Sequence, residues 1–432
     1  MTQGVKERLR ILYVSSLIRS FGESLASSQG VGTSFISMFT VELGATPSQL
    51  GWFYSIQISA RSMLQLIWGL LSDKMGRRVP FIVLGGLGVS LLWFPMLFIR
   101  SPTTLLLLLA IQAVFYSVFT PNWMSLIGDI APKSSRGVIT ANISLYTNIS
   151  GLIATFVSGF IMMNIIGSLK DVYFIPFSAA TIFGVIGILI TLLVKEEPNK
   201  KGTSRKAIKI NDVIDVIKNI SNERDFLKYT IVSLLSSMVM VMLLPVMSIM
   251  TIKILKVEKL TFALYGVIRC ITLLFSQSWL GKVTDLAGRK QLLIIQRLCY
   301  ITIPSLFVFA PNGIFIFIPY AILGFLHAIN ATAHQSYLLD MCPQEQRGSF
   351  IAVYGLIEGI GSFCSSLFGG YLIDIFSKSL SLIGALRIVA IITTIARVPT
   401  AFLFMTLREK RTYPSTITDE IKKIFASWHL SR

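Results

Sequence analysis

Apolar stretches of about twenty residues recur from one end of this chain to the other; 81–98, 173–194, 229–251 and 383–406 are four of them. At 1.5 Å per residue a helix of that length crosses a hydrocarbon core of about 30 Å. Lipid offers no water to an unpaired backbone group, so each stretch is read as a membrane-spanning helix. The composition agrees: 53% of the 432 residues are hydrophobic and only 14% charged, against roughly a quarter charged in soluble domains.

Runs bounded by charge or turn residues place twelve spans, at 11–38, 47–71, 79–100, 103–127, 137–163, 172–194, 227–252, 259–283, 290–309, 312–338, 348–374 and 382–407. A net charge of +18 on a soluble face would suggest nucleic acid. Here the basic residues sit instead in alternate loops: Lys74, Arg77 and Arg78; Lys133 and Arg136; 195–224; Arg289 and Lys290; Arg408, Lys410 and Arg411. The positive-inside rule then puts those loops and both termini in the cytoplasm of a multi-pass plasma-membrane protein, with lipid as its surroundings and no nucleic acid as partner. Arg19 and Glu23 interrupt the first apolar stretch, which argues for an uncleaved span over a signal peptide. The four cysteines suggest neither a disulfide framework nor a metal site.

The expected organisation is a bundle over 1–194, a basic cytoplasmic linker over 195–226, a second bundle over 227–407 and a tail over 408–432. Within the linker Ile210, Val213, Ile214, Ile217 and Ile220 recur at helical spacing. That suits either a short amphipathic helix on the membrane surface or a basic tether.

The halves repeat each other. Gly69-Leu-Leu-Ser-Asp73-Lys-Met-Gly76-Arg77-Arg78 returns as Gly281-Lys-Val-Thr-Asp285-Leu-Ala-Gly288-Arg289-Lys290. Asp129-Ile-Ala-Pro132-Lys-Ser-Ser-Arg136-Gly137 returns as Asp340-Met-Cys-Pro343-Gln-Glu-Gln-Arg347-Gly348, at almost the same offset. Several motifs at one offset imply a doubled six-span unit. In these residues the chain resembles the major facilitator superfamily, whose signature loop lies between spans two and three and whose second recurrent loop follows span four. The resemblance implies an all-α integral membrane fold of twelve transmembrane helices in two pseudo-symmetric six-helix bundles, working as a monomer. It also implies alternating access to a site near the bilayer midplane. Spans 1, 4, 7 and 10 would line the cavity, 2, 5, 8 and 11 would form the interface, and the others would support them.

A carboxylate at the end of span two, Asp73, is placed to accept from the free amides that open span eleven near Gly348. Asp285 would by symmetry meet the start of span five near Gly137. Such a latch forms only when the cytoplasmic side is closed and so biases one state without touching solute.

Ionisable groups at mid-depth cost several kcal/mol and are functional candidates. In span one Ser16, Ser20, Glu23 and Ser27 share a helical face, with Arg19 one turn before Glu23. If that face is wet, Glu23 can take up and release a proton in each cycle, the proton gradient being the energy source and no cofactor being needed; otherwise Arg19 and Glu23 form a stabilising ion pair. Gln112, Tyr116 and Asn122 in span four, and His327, Asn330 and His334 at i, i+3 and i+7 in span ten, are further cavity candidates. The histidines suit a polar solute, a proton relay or interhelical bonding, and no ligand set for a metal joins them. Arg61 and Arg269 would hold an anionic solute or neutralise Glu23 and Glu358, the second coupling candidate. The methionines of span seven, Met238 to Met250, suit either a pliable cavity or plain packing.

Two features depart from the superfamily's drug/proton antiporters. The usual arginine early in span four falls near Leu109, and the proline-glycine pattern of span five is missing around Ser158 and Gly159. Neither a metalloprotease motif, a nucleophile elbow nor a phosphate loop is present, so an enzyme is not expected. The sequence favours a secondary transporter, in either direction, of a metabolite or drug-like compound; an uncoupled facilitator and a non-transporting sensor of the same fold remain open. For the latch, Asp73→Asn is expected to slow transport several-fold, in line with roughly 0.3–2 kcal/mol for a carboxylate at a helix N-terminus. It should also raise alkylation of cysteines placed on the cytoplasmic side; transport and labelling both at wild-type levels would contradict it.

Overall fold

The computed structural model describes residues 3–27, 34–60, 64–65, 68, 71–72, 75, 77–132, 136–194, 196, 223–343 and 347–409. Among these, helix is the only extended regular structure. The first span is α1 (Gln3–Ser27) followed by α2 (Phe35–Glu42), and the second opens with α3 (Pro47–Ser55). Ten further helices are each long and apolar enough to cross a membrane. They are α4 (Val79–Met96), α5 (Pro102–Ile130), α6 (Arg136–Asn164), α7 (Leu169–Thr191), α8 (Arg224–Ile254), α9 (Lys259–Ala287), α10 (Lys290–Val308), α11 (Ile314–Met341), α12 (Arg347–Ser377) and α13 (Leu382–Met405).

Some helices, such as α5, α9 and α12, run past the expected apolar limits, while α4 stops short of them and α3 starts at the expected residue. Thr46 opens α3 with a reciprocal box, its hydroxyl accepting from the Gln49 amide at 3.2 Å while the Gln49 side chain takes the Thr46 amide at 2.9 Å. The linker helix expected over 210–220, the tail beyond 409, Arg61, Gly69, Asp73 and Gly76 lie outside the described residues, as do the side chains of Arg136, Asp285 and Arg347.

Each half packs by the same plan. In the first, α1 lies against α6 and α7, and α4 against α5 and α7; in the second, α8 lies against α12 and α13, and α10 against α11 and α13. A twofold operation that carries α1 to α8 also exchanges the two most extensive contacts between the halves, α3 with α12 and α6 with α9. Both contacts lie toward the helix ends opposite the termini, here the far end.

Small residues make this seam. A Cβ on Gly370 would come 2.5 Å from the Pro47 carbonyl oxygen, and one on Gly51 2.8 Å from that of Ser366. In return, the Ser366 hydroxyl donates to the Gly51 carbonyl at 3.0 Å and the Ser48 amide donates to Asp374 at 2.9 Å. Across the second contact Gly159 faces Ala263, where a Cβ would approach to 2.4 Å. In lipid, where burial of apolar surface gives helices no reason to associate, such close backbone approach supplies the packing attraction. An ion pair closes the rim: Lys259 of α9 reaches Glu42 of α2 at 3.2 Å, and Tyr173 donates to the other Glu42 oxygen at 2.7 Å.

Gly370→Val is therefore expected to wedge the seam. Overpacking costs about 1–3 kcal/mol, a shift of about 5- to 150-fold toward the far-open state. Alkylation of Ser48→Cys should accelerate accordingly; an unchanged rate would contradict the packing argument.

Candidate functional site

Inside the first half, one carboxylate organises four helices. Glu23, about one turn before the end of α1, accepts from Arg19 Nη1 at 2.8 Å on one oxygen and from the Tyr116 hydroxyl of α5 on the other. Arg19 is held independently: its guanidinium lies 4.5 Å from the centre of the Phe119 ring and 5.8 Å from that of Trp123, two stacked rings one turn apart on α5. A small cavity, with room on the order of one water molecule, joins these groups to Ser90 and Trp93 of α4 and Gly184 of α7. Glycines allow this approach, since a Cβ at Gly187 would lie 2.6 Å from the Arg19 amide nitrogen. About a quarter of the Glu23 side chain (26%) and 17% of Arg19 stay exposed, so the pair is half-sheltered.

The serines expected beside Glu23 on a wet face do something else. Ser16 is buried and donates back to the Leu12 carbonyl, and Ser20 donates to the Thr147 carbonyl of α6 at 3.0 Å. A hydroxyl in lipid takes the nearest free carbonyl lone pair, and here that turns the two serines toward helix packing. Ser27, at the end of α1, is half-buried. Gln112 braces α5 on the Val89 carbonyl of α4 at 3.1 Å, and Asn122 is buried and donates to Val118 of its own helix at 2.7 Å.

The second half holds a different cluster. The expected single face of His327, Asn330 and His334 is broken by a π-helical turn, Asn330–His334. The wider turn changes the rotation between the histidines, and they part. His327 donates from Nδ1 to the Leu323 carbonyl at 2.6 Å, in the surroundings of the buried Arg269, which lies near Tyr300 and Tyr320. Half-buried Asn330 opens the turn. His334 faces the other way, between Tyr229 of α8 and Tyr354 of α12. Glu358 takes a hydrogen bond from Ser237 of α8 at 3.0 Å and sits one turn from Tyr354. Arg269 itself is buried on α9 beside Cys270. Of the span-seven methionines, Met242, Met247 and Met250 are buried in the core.

At the end bearing the termini, the repeated loops meet in matched pairs. Arg78 lies 3.7 Å from Asp129, and Arg289 pairs with Asp340 and donates to the Ser336 carbonyl at 2.7 Å. Two carboxylates unmarked by the motifs complete them. Glu196 accepts from the Arg78 and Val79 amides, the latter at 3.1 Å, and Glu409 from those of Arg289 and Lys290 at 3.1 and 2.8 Å. Each carboxylate caps the start of a helix, α4 or α10, where free amides and the helix dipole favour negative charge. Their signal was an acid within a basic run at equivalent places after spans six and twelve. Arg77 of this loop is exposed, Lys290 half-buried, and Gly288 carries a positive φ of 102° that permits the turn before α10; Gly281 lies in open space within α9. Among the described residues no three His, Cys, Asp or Glu side chains gather as a metal site.

The fold, the twofold seam and these paired loops describe a known architecture. The family model of the Major Facilitator Superfamily matches residues 12–364 and, overlapping, 303–430. The chain belongs to the Major Facilitator Superfamily. It is 24% identical over 217 residues to the multi-drug resistance efflux pump PmrA of Streptococcus pneumoniae, covering 49% of this chain and 51% of the pump, so the match spans about half the length of that relative. It is also 24% identical to an uncharacterized MFS-type transporter of Methanocaldococcus jannaschii, over 80% of this chain and 88% of the relative. The solved nucleoside transporter NupG superimposes with a TM-score of 0.70 at 15% identity, covering 93% of this chain and 98% of that one, which is a likeness of fold. The protein is thus a multi-pass membrane protein of this superfamily.

The two loop pairs differ in shelter. Both partners of Arg289–Asp340 keep only 8% exposure, whereas Asp129 is 48% exposed. Breaking a buried pair costs about 3–5 kcal/mol and an exposed one about 0–1 kcal/mol. Asp340→Asn should therefore lower the melting temperature in detergent clearly more than Asp129→Asn. Equal losses would contradict the burial difference.

Proposed function

We propose that this transporter moves a small metabolite or drug-like solute by alternating access, driven by protons that bind and leave Glu23. The observation that supports it most is the setting of Glu23: a half-sheltered carboxylate at membrane depth whose cation, Arg19, is clamped by Phe119 and Trp123. Because Arg19 has its own aromatic seat, Glu23 can be neutralised without releasing it. Tyr116 can then exchange the role of donor to a carboxylate for that of acceptor from a carboxylic acid.

The basic ends bearing the termini face the cytoplasm of the plasma membrane, and the monomer is the working unit. On that orientation the far-end seam closes the outer side, and opening to the outside requires α3 to leave α12 and α6 to leave α9. Export of drug-like compounds is the direction suggested by the multi-drug efflux named for the PmrA relative. The missing span-four arginine, with buried Leu109 near its place, points away from the usual antiporter machinery and toward Arg19 as the charge partner.

Proteoliposomes with an imposed pH gradient, screened against a panel of solutes, test the proposal. Glu23→Gln should lose gradient-driven accumulation, by about tenfold or more, and retain solute exchange. Full accumulation by the variant would overturn it.

A further inference from the structure

The second half contains a hydrogen-bonded chain that the role of Glu23 does not use. Tyr229 of α8 lies 2.8 Å from Nδ1 of His334 on α11, and Nε2 of the same ring lies 3.1 Å from the hydroxyl of Tyr354 on α12. One turn on, Glu358 interacts with Tyr354 and takes the hydrogen bond from Ser237, which returns the chain to α8. Tyr229, His334 and Tyr354 are buried, while Glu358 is half-buried. The rings are tightly placed, Tyr229 stacking on Tyr354 at 5.8 Å and 10° and touching Tyr337 at 4.9 Å.

The charge on Glu358 sets the direction of every bond in this chain. An ionised carboxylate only accepts, so Tyr354 donates to it, and Ser237 shares its one hydrogen between Glu358 at 3.0 Å and the Ser233 carbonyl of its own helix at 2.7 Å. Tyr354 has a single hydrogen, so its oxygen must accept from His334 Nε2–H. A neutral imidazole carries one hydrogen, so Nδ1 accepts from Tyr229. A protonated Glu358 can donate instead, and the sequence then runs backwards: Glu358 to Tyr354, Tyr354 to Nε2, Nδ1–H to Tyr229. Bond by bond, Tyr229 gives its hydrogen to Nδ1, the Nε2 hydrogen passes to Tyr354, the Tyr354 hydrogen passes to a Glu358 oxygen, and one proton from water refills Tyr229. The net change is one proton on Glu358; each phenol and the imidazole keep one hydrogen, the imidazole's now on the other nitrogen.

We infer that Glu358 is a second proton-binding site, in the C-terminal half, and that Tyr354, His334 and Tyr229 carry its charge state across α8, α11 and α12 by reversing their hydrogen bonds. The inference rests on the proton-driven reading above for its role in transport, and on this geometry alone for its existence. Also facing the chain are Ser233 on α8, beside both Tyr229 and Tyr354, Tyr337 on α11 and Arg297 on α10. Arg297 is seated independently against Met240 at 3.1 Å and over Phe404 at 4.5 Å. Its charge is therefore a constant background while Glu358 titrates. The site would join three helices that must move together when the half tilts, which no group on one helix could do.

The protein has only three histidines, His327, His334 and His429, so nitrogen-15 labelling of histidine in the full-length protein in liposomes reads this site directly, each signal assigned by replacing His327 and His429 in turn. In wild type the Nδ1 and Nε2 shifts of His334 should exchange character as pH falls, and in Glu358→Gln they should be independent of pH. A pH-silent His334 in wild type, or the same response in the variant, would overturn the inference. In proteoliposomes Glu358→Gln should keep exchange and lose accumulation about tenfold. Accumulation lost in Glu23→Gln but intact in Glu358→Gln, with silent spectra, would overturn this site and leave the reading of Glu23 standing. No response of wild-type transport to any gradient would overturn that reading, while a responding His334 would still support the proton site.

Discussion

Hydrocarbon cannot hydrate a polar group, and nearly every feature of this molecule follows from where its polar groups find partners instead. Backbone groups are absorbed by the helices. Serine and threonine hydroxyls turn to carbonyls, usually one turn back on their own helix, as Thr40 does to Ile36. The charged and aromatic-polar residues that remain must reach across to a neighbouring helix, and they do so mostly within one half. Arg19, Glu23 and Tyr116 tie α1 to α5; Tyr229, His334, Tyr354 and Ser237 tie α8 to α11 and α12. Arg397 of α13 donates to the Tyr300 carbonyl of α10.

The contact between halves is of another kind. It is built from glycine, serine and backbone atoms together with aromatic contacts such as Phe35–Phe262 and Trp52–Phe363 and the Tyr54–Ser248 hydrogen bond, with the Lys259–Glu42 pair at the rim, and both of those charged side chains retain more than a fifth of their exposure. Parting these contacts strands no buried charge, since the Lys259–Glu42 pair is partly exposed at the rim, whereas breaking the charged bonds inside each half would leave a charge stranded in lipid. That difference in cost divides the molecule into two stiff bodies and one seam. The capped Arg–Asp pairs at the other end stiffen each body further, so that a tilt begun near the midplane is transmitted along whole helices.

Much of this was legible in the sequence. Hydropathy located the spans because a membrane span has a fixed length, and the doubled motifs implied two equivalent halves because two loops shared one offset. Charge at mid-depth picked out Glu23, Arg19, Glu358 and His334. Direction was harder to read. The π-helical turn at Asn330–His334 has no sequence marker, and it separates two histidines that simple periodicity puts on one face. The serines of α1 share a helical face with Glu23, yet a hydroxyl can reach a carbonyl on its own helix or the next, and periodicity does not decide which. Tyr229 and Tyr354 carry no motif of their own, although a buried phenol usually needs a partner for its hydroxyl. Glu196 and Glu409 were hidden inside runs of opposite charge.

The central claim is that two stiff halves exchange one seam for another when protons bind. Paired spin labels read this directly, one pair at the far ends of α3 and α12 and one at the opposite ends of α6 and α9, in the same liposomes at high and low pH with solute present. The account predicts distance changes of opposite sign at the two ends, one lengthening as the other shortens. Distances that stay fixed at both ends, or that change together, would contradict it.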